Sequence, residues 1–513
     1  MSHQTEIRSV STPGNPLSHL SETERRVLSY AAAIGKEFDF SVLAAANEME
    51  EEPLAELLER LVQRGIVKEL KEGDAYAFVR EETLTQAYRE ISSSRLRVIH
   101  KKIAEAYEKL NPDPTPEIIP EMGRQFYLGK VHDKSLLYNR YAATQAMGAF
   151  SPDIAIRYLE RAREDLASLP GDHSMEEADV LKELGEQYDT LGDDAKADKC
   201  YVESLRKIPE REVTLRALII LARADVARDM DKLESTRQLC QEAIGLLEKV
   251  GHKRGLALAH HSLSRAAYRE GLLEIGRKEI EATIGLLDPV TDAKELARCY
   301  IDFGNVCSES KDPVEHEKSF IYYRKAVQKL EELHDYIELA RAHNNLALAL
   351  MPEHPHEAME EIKMARSYSE RTKDRRGLGW WLFNSVEIRL ALGEVEEAER
   401  DNEEAGKILS LLGDSVGIQQ IAMNKGIIAQ YRGSYEEAER AYLRALDMAE
   451  KLGYPLQVVE VLVHLASTHA ACGRKEEAAK AVWRIQELGE DRVYPSLRSV
   501  YKELKENFGR RPS

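Results

Sequence analysis

The sequence predicts an all-α protein of about nine stacked helical pairs, preceded by a small α+β module. Three observations predict this fold. Turn glycines recur forty residues apart at Gly393, Gly433 and Gly473, and each is followed closely by the triplet Glu-Glu-Ala. The chain also contains 32% charged residues with few glycines and prolines, a composition that suits long exposed helices better than disorder.

The turn glycines divide each repeat into two helices. A residue without Cβ adopts the left-handed conformation at a helix end most readily, so each glycine is expected to end the first helix of a pair. The alanine five places later then lies where two helices approach closely. Stacked pairs bury one continuous core and leave an extended concave surface. The same spacing continues backwards through Glu353, Val314, Gly271, Asp231, Gly192 and Phe150, with one larger step at an insertion over residues 308–313.

Two repeats carry a recognisable pattern. One is Leu184-Gly185-Glu-Gln-Tyr188 followed by Gly192 and Ala197, and the other runs Gly426, Gly433, Ala438, Tyr442 and Ala445. These segments resemble tetratricopeptide repeats of a longer variety, with about 40 residues in place of 34. The resemblance implies a right-handed superhelix whose first helices face the concave side.

A different pattern precedes the repeats. Ser21 and Glu24 form a capping box for a first helix that ends at Gly35, a second helix follows from Ser41, and a third starts at Pro53. Residues 66–70 and 75–79 predict a β-hairpin with a glycine turn. This order of elements is a winged-helix layout.

The predicted organisation has five parts. Residues 1–20 form a flexible tail, 21–110 the winged-helix module with connecting helices, and 111–120 a proline-rich linker. The repeat solenoid spans 121–491, and an amphipathic helix at 492–508 covers its last pair.

The N-terminal part carries a second resemblance. Ile34-Gly35-Lys36-Glu37-Phe38-Asp39, the run from Leu58 to Val67, and Tyr76-Ala-Phe78 leading to His100 resemble the winged-helix portion of STAND-type signalling ATPases, over residues 20–169. No Gly-x-x-x-x-Gly-Lys-Ser/Thr motif occurs. The resemblance therefore implies the regulatory and sensor half without the ATPase, which could act as a separately encoded partner.

Charge and composition exclude several classes of function. The net charge of −18 disfavours nucleic-acid binding, although a local basic patch remains possible. The chain has neither a run of eighteen apolar residues nor a signal segment at its N-terminus, so we expect a cytoplasmic protein without membrane contact. The five cysteines show no Cys-x-x-Cys spacing, and no catalytic, metal or cofactor motif is present.

The candidate binding residues lie on the first helices of the later repeats. Counting back nine residues from each turn glycine gives Asn384, Asn424 and His464, and the equivalent place one repeat earlier is Asn344 or Asn345. An amide offers both donors and an acceptor, so a ladder of amides on the concave side could hold the backbone of an extended peptide. Residues predicted to anchor side chains beside this ladder are Trp380 or Trp381, Phe383, Met423 and Tyr431.

The alternative reading of this pattern is structural, with the asparagines bonding neighbouring repeats and the aromatic residues packing in the core. We predict a non-enzymatic interaction scaffold or regulatory sensor that binds a peptide or partner protein in its groove. Two alternatives remain, namely a transcription regulator that uses the winged helix on DNA, and a regulatory subunit of a separate STAND-type ATPase.

Overall fold

The computed structural model describes residues 17, 19–70, 74–230, 232–310, 312–494 and 497–509. Most of the predicted tail at 1–20 lies outside the described residues. The chain forms two compact units, Met1–Glu212 and Val213–Ser513. The division therefore falls within the predicted solenoid and not at the predicted linker.

The first unit begins with helices around a small antiparallel sheet. Ser21 caps the first helix as predicted, because its Oγ accepts a hydrogen bond from the Glu24 amide (3.2 Å) and the Glu24 carboxylate accepts one from the Ser21 amide (2.7 Å). The elements are α1 (Glu22–Ile34), β1 (Glu37–Asp39), α2 (Phe40–Asn47), α3 (Glu51–Gln63), β2 (Val67–Leu70), β3 (Ala75–Phe78), α4 (Glu81–Arg89) and α5 (Ser93–Leu110).

The sheet has the order β1-β3-β2, with Val67 opposite Phe78 and Phe38 opposite Tyr76. Strands β2 and β3 form the predicted hairpin. Strand β1 was not predicted because three residues are too short to show an alternating pattern. The core of this module contains Leu28, Leu43 and Leu58, which are almost completely buried. Whether the module is a true winged helix remains a prediction.

The rest of the first unit is helical. It contains α6 (Ile119–Leu128), α7 (His132–Gly148), α8 (Pro152–Ser168), α9 (Ser174–Thr190) and α10 (Asp194–Lys207). Pro120 was predicted to belong to the linker, but it lies in the first turn of α6. A proline is tolerated there because the first amides of a helix have no intrahelical acceptor.

The described residues of the second unit form seven antiparallel pairs and a final helix. Its elements are α11 (Val213–Asp229), α12 (Leu233–Val250), α13 (Lys253–Arg269), α14 (Leu273–Leu286), α15 (Ala293–Ser308), α16 (Pro313–Glu332), α17 (Tyr336–Leu350), α18 (Pro355–Thr372), α19 (Arg375–Ala391), α20 (Val395–Leu411), α21 (Ser415–Tyr431), α22 (Tyr435–Leu452), α23 (Pro455–Ala471), α24 (Lys475–Leu488) and α25 (Arg498–Phe508). With α7/α8 and α9/α10, nine pairs are described, in agreement with the prediction.

The contacts within the pairs are those of tetratricopeptide-like repeats. Gly393, Gly433 and Gly473 have φ values of +78°, +75° and +73°, so they end the first helices in the left-handed conformation, as predicted. Inside the pairs, a glycine of the first helix lies against a tyrosine ring of the second. A Cβ at Gly185 would lie 2.6 Å from the Tyr201 ring, and the same contact occurs between Gly304 and Tyr323 and between Gly426 and Tyr442.

The last helix covers the final pair over a shorter range than predicted. Helix α25 begins at Arg498, six residues after the predicted start, and a short 3-10 helix (Glu490–Arg492) precedes it. Tyr501 and Leu504 are buried in the same core as residues of α23 and α24. Helix α25 therefore packs against the final pair, and its role as a terminal cap remains a prediction.

Candidate functional site

The first helices of the second unit form one layer. Helices α11, α13, α15, α17, α19, α21 and α23 each contact the next in this series, whereas the second helices mainly contact the first helices beside them. A stack in which one layer is more closely packed curves toward that layer. We call the surface of these first helices the inner face.

Polar side chains link successive first helices across the inner face. Arg298 Nε contacts Glu338 Oε1 at 2.8 Å, and Gln420 Nε2 donates to Glu460 Oε2 at 3.0 Å, in both cases forty residues apart. Asn384 Nδ2 donates to Asn344 Oδ1 at 2.9 Å with the same spacing. The inner face is therefore a continuous network of hydrogen bonds from one repeat to the next.

This network corrects part of the predicted amide ladder. Asn344 and Asn424 are 4% and 1% exposed, and Asn424 Nδ2 donates to the Phe383 carbonyl oxygen at 3.1 Å. Met423 is buried in the core between the last pairs. These three residues are turned toward neighbouring helices and offer almost no surface to a partner, since Asn424 bonds the preceding repeat, Asn344 bonds the following repeat and Met423 packs in the core.

The other predicted residues are accessible to different degrees. Asn345, Trp380, Phe383, Asn384 and His464 are half-buried, and Tyr431 is exposed. The rings of Trp380 and Phe383 pack edge to face with centroids 5.5 Å apart, and His464 stacks on Tyr442 at the same separation. A binding role for these six residues remains a prediction.

Two carboxylates beside these residues were missed by the sequence analysis. Burial raises the pKa of Glu460 to about 7, the hydrogen bond from Gln420 opposes this shift, and the negative charge of Glu387 adds to it. Burial also lowers the pKa of His464, one turn further along α23, to about 4. This part of the inner face therefore favours the neutral forms of both side chains.

A second group of residues forms a polar pocket at the other end of the inner face. Helices α11, α13, α15 and α17 enclose a cavity of about 290 Å³, which we call the arginine pocket. Its lining residues are Arg228, Asp229, Ser264, Arg265, Tyr268, Arg269, Asp302, Asn305, Val306 and Arg341. Four arginines against two aspartates give it a positive balance in a chain of net charge −18.

The charges in the arginine pocket are only partly paired. Arg228 is buried and contacts Asp225 and Asp229. Burial alone would raise the pKa of Asp302, but the hydrogen bond from His261 at 2.8 Å and the charges of Arg341 and Arg265 lower it to about 2. The Asp302 carboxylate therefore stays ionised, and it lies within 4 Å of the side chains of His261, Arg265 and Arg341.

Arg265 is the least satisfied of these groups. Its nearest carboxylate oxygen among the described residues is that of Asp302 at 3.8 Å, and it donates no hydrogen bond there. Desolvation and the neighbouring charges of Arg228 and Arg341 lower its pKa, whereas the charges of Asp302 and Asp225 oppose this shift. The side chain is 44% exposed, so its free donors face the open side of the pocket. A guanidinium carries five N–H donors in a fork that matches a carboxylate, so Arg265 has donors ready for an anionic ligand.

The described residues contain no group of three His, Cys, Asp or Glu side chains placed to hold a metal ion. Cys200, Cys240, Cys299 and Cys307 are buried, and burial raises the pKa of each thiol. These thiols are held in the unreactive neutral form. Among the described helices, none is both long and apolar enough to cross a membrane.

Comparisons with known proteins found structural likeness only. No family model matches the chain, and no curated protein matches it. A Rap protein complexed with competence and sporulation factor is 14% identical, with 73% of this chain and 99% of that chain covered and a TM-score of 0.49. Aspartyl phosphate phosphatase F from Bacillus subtilis is 14% identical over 69% of this chain and 94% of its own, with a TM-score of 0.46.

A STAND protein with a tetratricopeptide repeat sensor from Pyrococcus horikoshii is 15% identical over 99% of this chain and 68% of its own, with a TM-score of 0.40. At these identities and scores the likeness assigns neither a family nor a function.

Proposed function

We propose that this chain is a non-enzymatic regulatory protein that captures an extended peptide segment on the inner face of its second unit, with an acidic group of the peptide in the arginine pocket. The observation that carries the proposal is Arg265, which donates no hydrogen bond within the described residues and whose ion pair with Asp302 is long, at 3.8 Å. A ligand carboxylate would supply acceptors at hydrogen-bonding distance and a second negative charge.

The surface next to the pocket suits a peptide better than a compact ligand. Beyond α17, the inner face continues past Asn345 and Asn384 to the half-buried rings of Trp380 and Phe383. Neighbouring helices lie about 8–10 Å apart, so three steps from α13 to α19 span about 30 Å. An extended peptide of about nine residues covers that distance, and about fifteen residues reach α23, five steps from α13.

The two carboxylates further along complete the charge pattern. Glu460 is destabilised as an anion by burial and by the charge of Glu387, and a positive group would relieve both effects. We propose that a peptide with an acidic group at one end and a basic group toward the other fits the inner face in a single direction.

The DNA-binding alternative is not favoured by the first unit. Helix α3, which would read the major groove in a winged helix, exposes Glu51, Glu52, Glu56 and Glu59. These carboxylates would repel the phosphate backbone. Nothing in the described residues favours the separate-ATPase alternative, which remains a prediction.

Affinity selection from a random library of short peptides tests the proposal. The wild-type protein is expected to retain peptides enriched in Asp and Glu. Arg265→Gln is expected to weaken binding of the selected peptides about tenfold to hundredfold, because hydrogen bonds to charged groups contribute about 1.5–3 kcal/mol.

Arg324→Gln is the matched control. It makes the same change of charge on α16, where the exposed Arg324 side chain contacts Glu357 at 3.1 Å, and it should leave the selection unchanged. Equal retention of the same peptides by the wild type and Arg265→Gln would refute the proposed function.

A further inference from the structure

A second candidate surface lies on the opposite side of the second unit. Helices α20 and α22 flank a groove of about 940 Å³ with α21 at its base, which we call the outer groove. Its apolar floor is formed by Ile418, Ile421, Ala422, Ile428, Ala429 and Met448. The accessible apolar surface of this floor comes mainly from the half-buried Ile418 and Met448, because the other four residues are buried. Apolar surface rimmed by polar residues is a feature of interaction sites.

Four cations on the rim have no counter-charge. Lys407, Lys425, Arg440 and Arg444 line the groove and are exposed, and within the described residues none of them forms an ion pair within 4.0 Å. The fifth cation, Arg432, contacts Glu399 at 2.9 Å. Five cations against Glu399, Glu403 and Glu437 leave an excess of positive charge in a strongly acidic chain.

The geometry of the groove fits an α-helix. Helices α20 and α22 contain 17 and 18 residues, which gives walls about 25 Å long. The wall backbones are hydrogen-bonded within their helices and offer no edge to which an extended strand could add. A helix satisfies its own backbone and needs only apolar and charged side chains to bind here.

We propose that the outer groove docks an amphipathic helix of a partner protein, with the apolar side of that helix on the floor and acidic residues along its flanks facing the four cations. This inference goes beyond the proposed peptide capture and does not depend on it, because the two surfaces share no residue. The chain would then have one surface for an extended peptide and a separate surface for a helix of a partner protein.

A designed peptide tests the proposal on the full-length protein. The probe is a fluorescein-labelled peptide of about 18 residues with leucines at helical spacing and glutamates on both flanks, and its counterpart has lysine for every glutamate. By fluorescence anisotropy, the wild type is expected to bind the acidic peptide at least tenfold more tightly than the basic one. Arg440→Glu/Arg444→Glu should reverse this preference.

The control is Lys480→Glu/Arg484→Glu, which places the same charges forty residues later on α24, outside the groove. It should bind the acidic peptide like the wild type, and circular dichroism should show the same helicity for all three proteins. Loss of binding in Met448→Ser would place the peptide on the apolar floor.

Three results would overturn the inference. One is equal affinity of the wild type for the acidic and basic peptides, and another is undiminished binding of the acidic peptide by Arg440→Glu/Arg444→Glu. The third is a self-association in analytical ultracentrifugation that this variant abolishes, because the occupant of the groove would then be a second copy of the chain. None of these results would alter the expected effect of Arg265→Gln.

Discussion

Replacement of Tyr442 by alanine is expected to lower the free energy of unfolding of the second unit by about 3–5 kcal/mol. The side chain is completely buried, its ring fills the space left open by Gly426, and its hydroxyl donates to Gln430 Oε1 at 2.9 Å. Its removal leaves a cavity at the contact between the two helices of the pair and deprives the stacked His464 ring of its neighbour.

Urea unfolding followed by tryptophan fluorescence measures this effect, because all three tryptophans lie in the second unit. Leu443→Ala in the same helix is the control, since Leu443 is 50% exposed and its loss should cost less than about 1 kcal/mol. Tyr442→Phe removes only the hydroxyl and should cost about 1 kcal/mol. A Tyr442→Ala protein as stable as Leu443→Ala would contradict this account of the repeat.

Glu460→Gln is expected to stabilise the second unit at pH 8 by about 1–3 kcal/mol and to have little effect near pH 4. The folded pKa of Glu460 is about 7, above its ordinary value of 4.5. Between these values the folded state holds a proton that the unfolded state has released, so stability is lost as the pH rises from about 4.5 to 7. The expected stabilisation of about 1–3 kcal/mol is smaller than the full pKa shift would give, because the Glu460 side chain is partly exposed to solvent.

His464 has the opposite dependence. Its folded pKa of about 4 lies below the ordinary 6.5, so the stability it contributes is present above pH 6.5 and is lost as the pH falls toward 4. The pH dependences that Glu460 and His464 give to the free energy of unfolding have opposite signs and partly cancel in the wild type. The single variants Glu460→Gln and His464→Gln separate the two contributions. Thermal unfolding between pH 4 and 8 provides the measurement, and a Glu460→Gln curve parallel to that of the wild type would contradict the assignment.

Much of the fold could be predicted because its signals are local and repeated. Gly393, Gly433 and Gly473 mark the helix ends, and Ser21 with Glu24 marks the start of α1. The start of α6 was misplaced because a proline is equally compatible with a linker and with a first helical turn.

The binding surface was harder to predict. The spacing of Asn344 and Asn424 identified the correct helices, but one position of helical rotation decides whether an amide faces a ligand or the neighbouring repeat. The arginine pocket combines side chains from α11, α13, α15 and α17, and although several of them are forty residues apart, the residue types at those positions differ from repeat to repeat. Only the three-dimensional arrangement shows that Arg265 donates no hydrogen bond within the described residues and lies 3.8 Å from its nearest carboxylate oxygen.

Charge reversal at Arg265 tests the central claim most directly. The peptide retained best by the wild type is compared with a version in which its acidic residue is replaced by lysine, and calorimetry gives the Kd of each for the wild type and for Arg265→Glu. The account predicts that Arg265→Glu binds the original peptide at least tenfold more weakly and regains affinity for the lysine version. If both proteins bound both peptides with equal affinity, the acidic group would not lie in the arginine pocket.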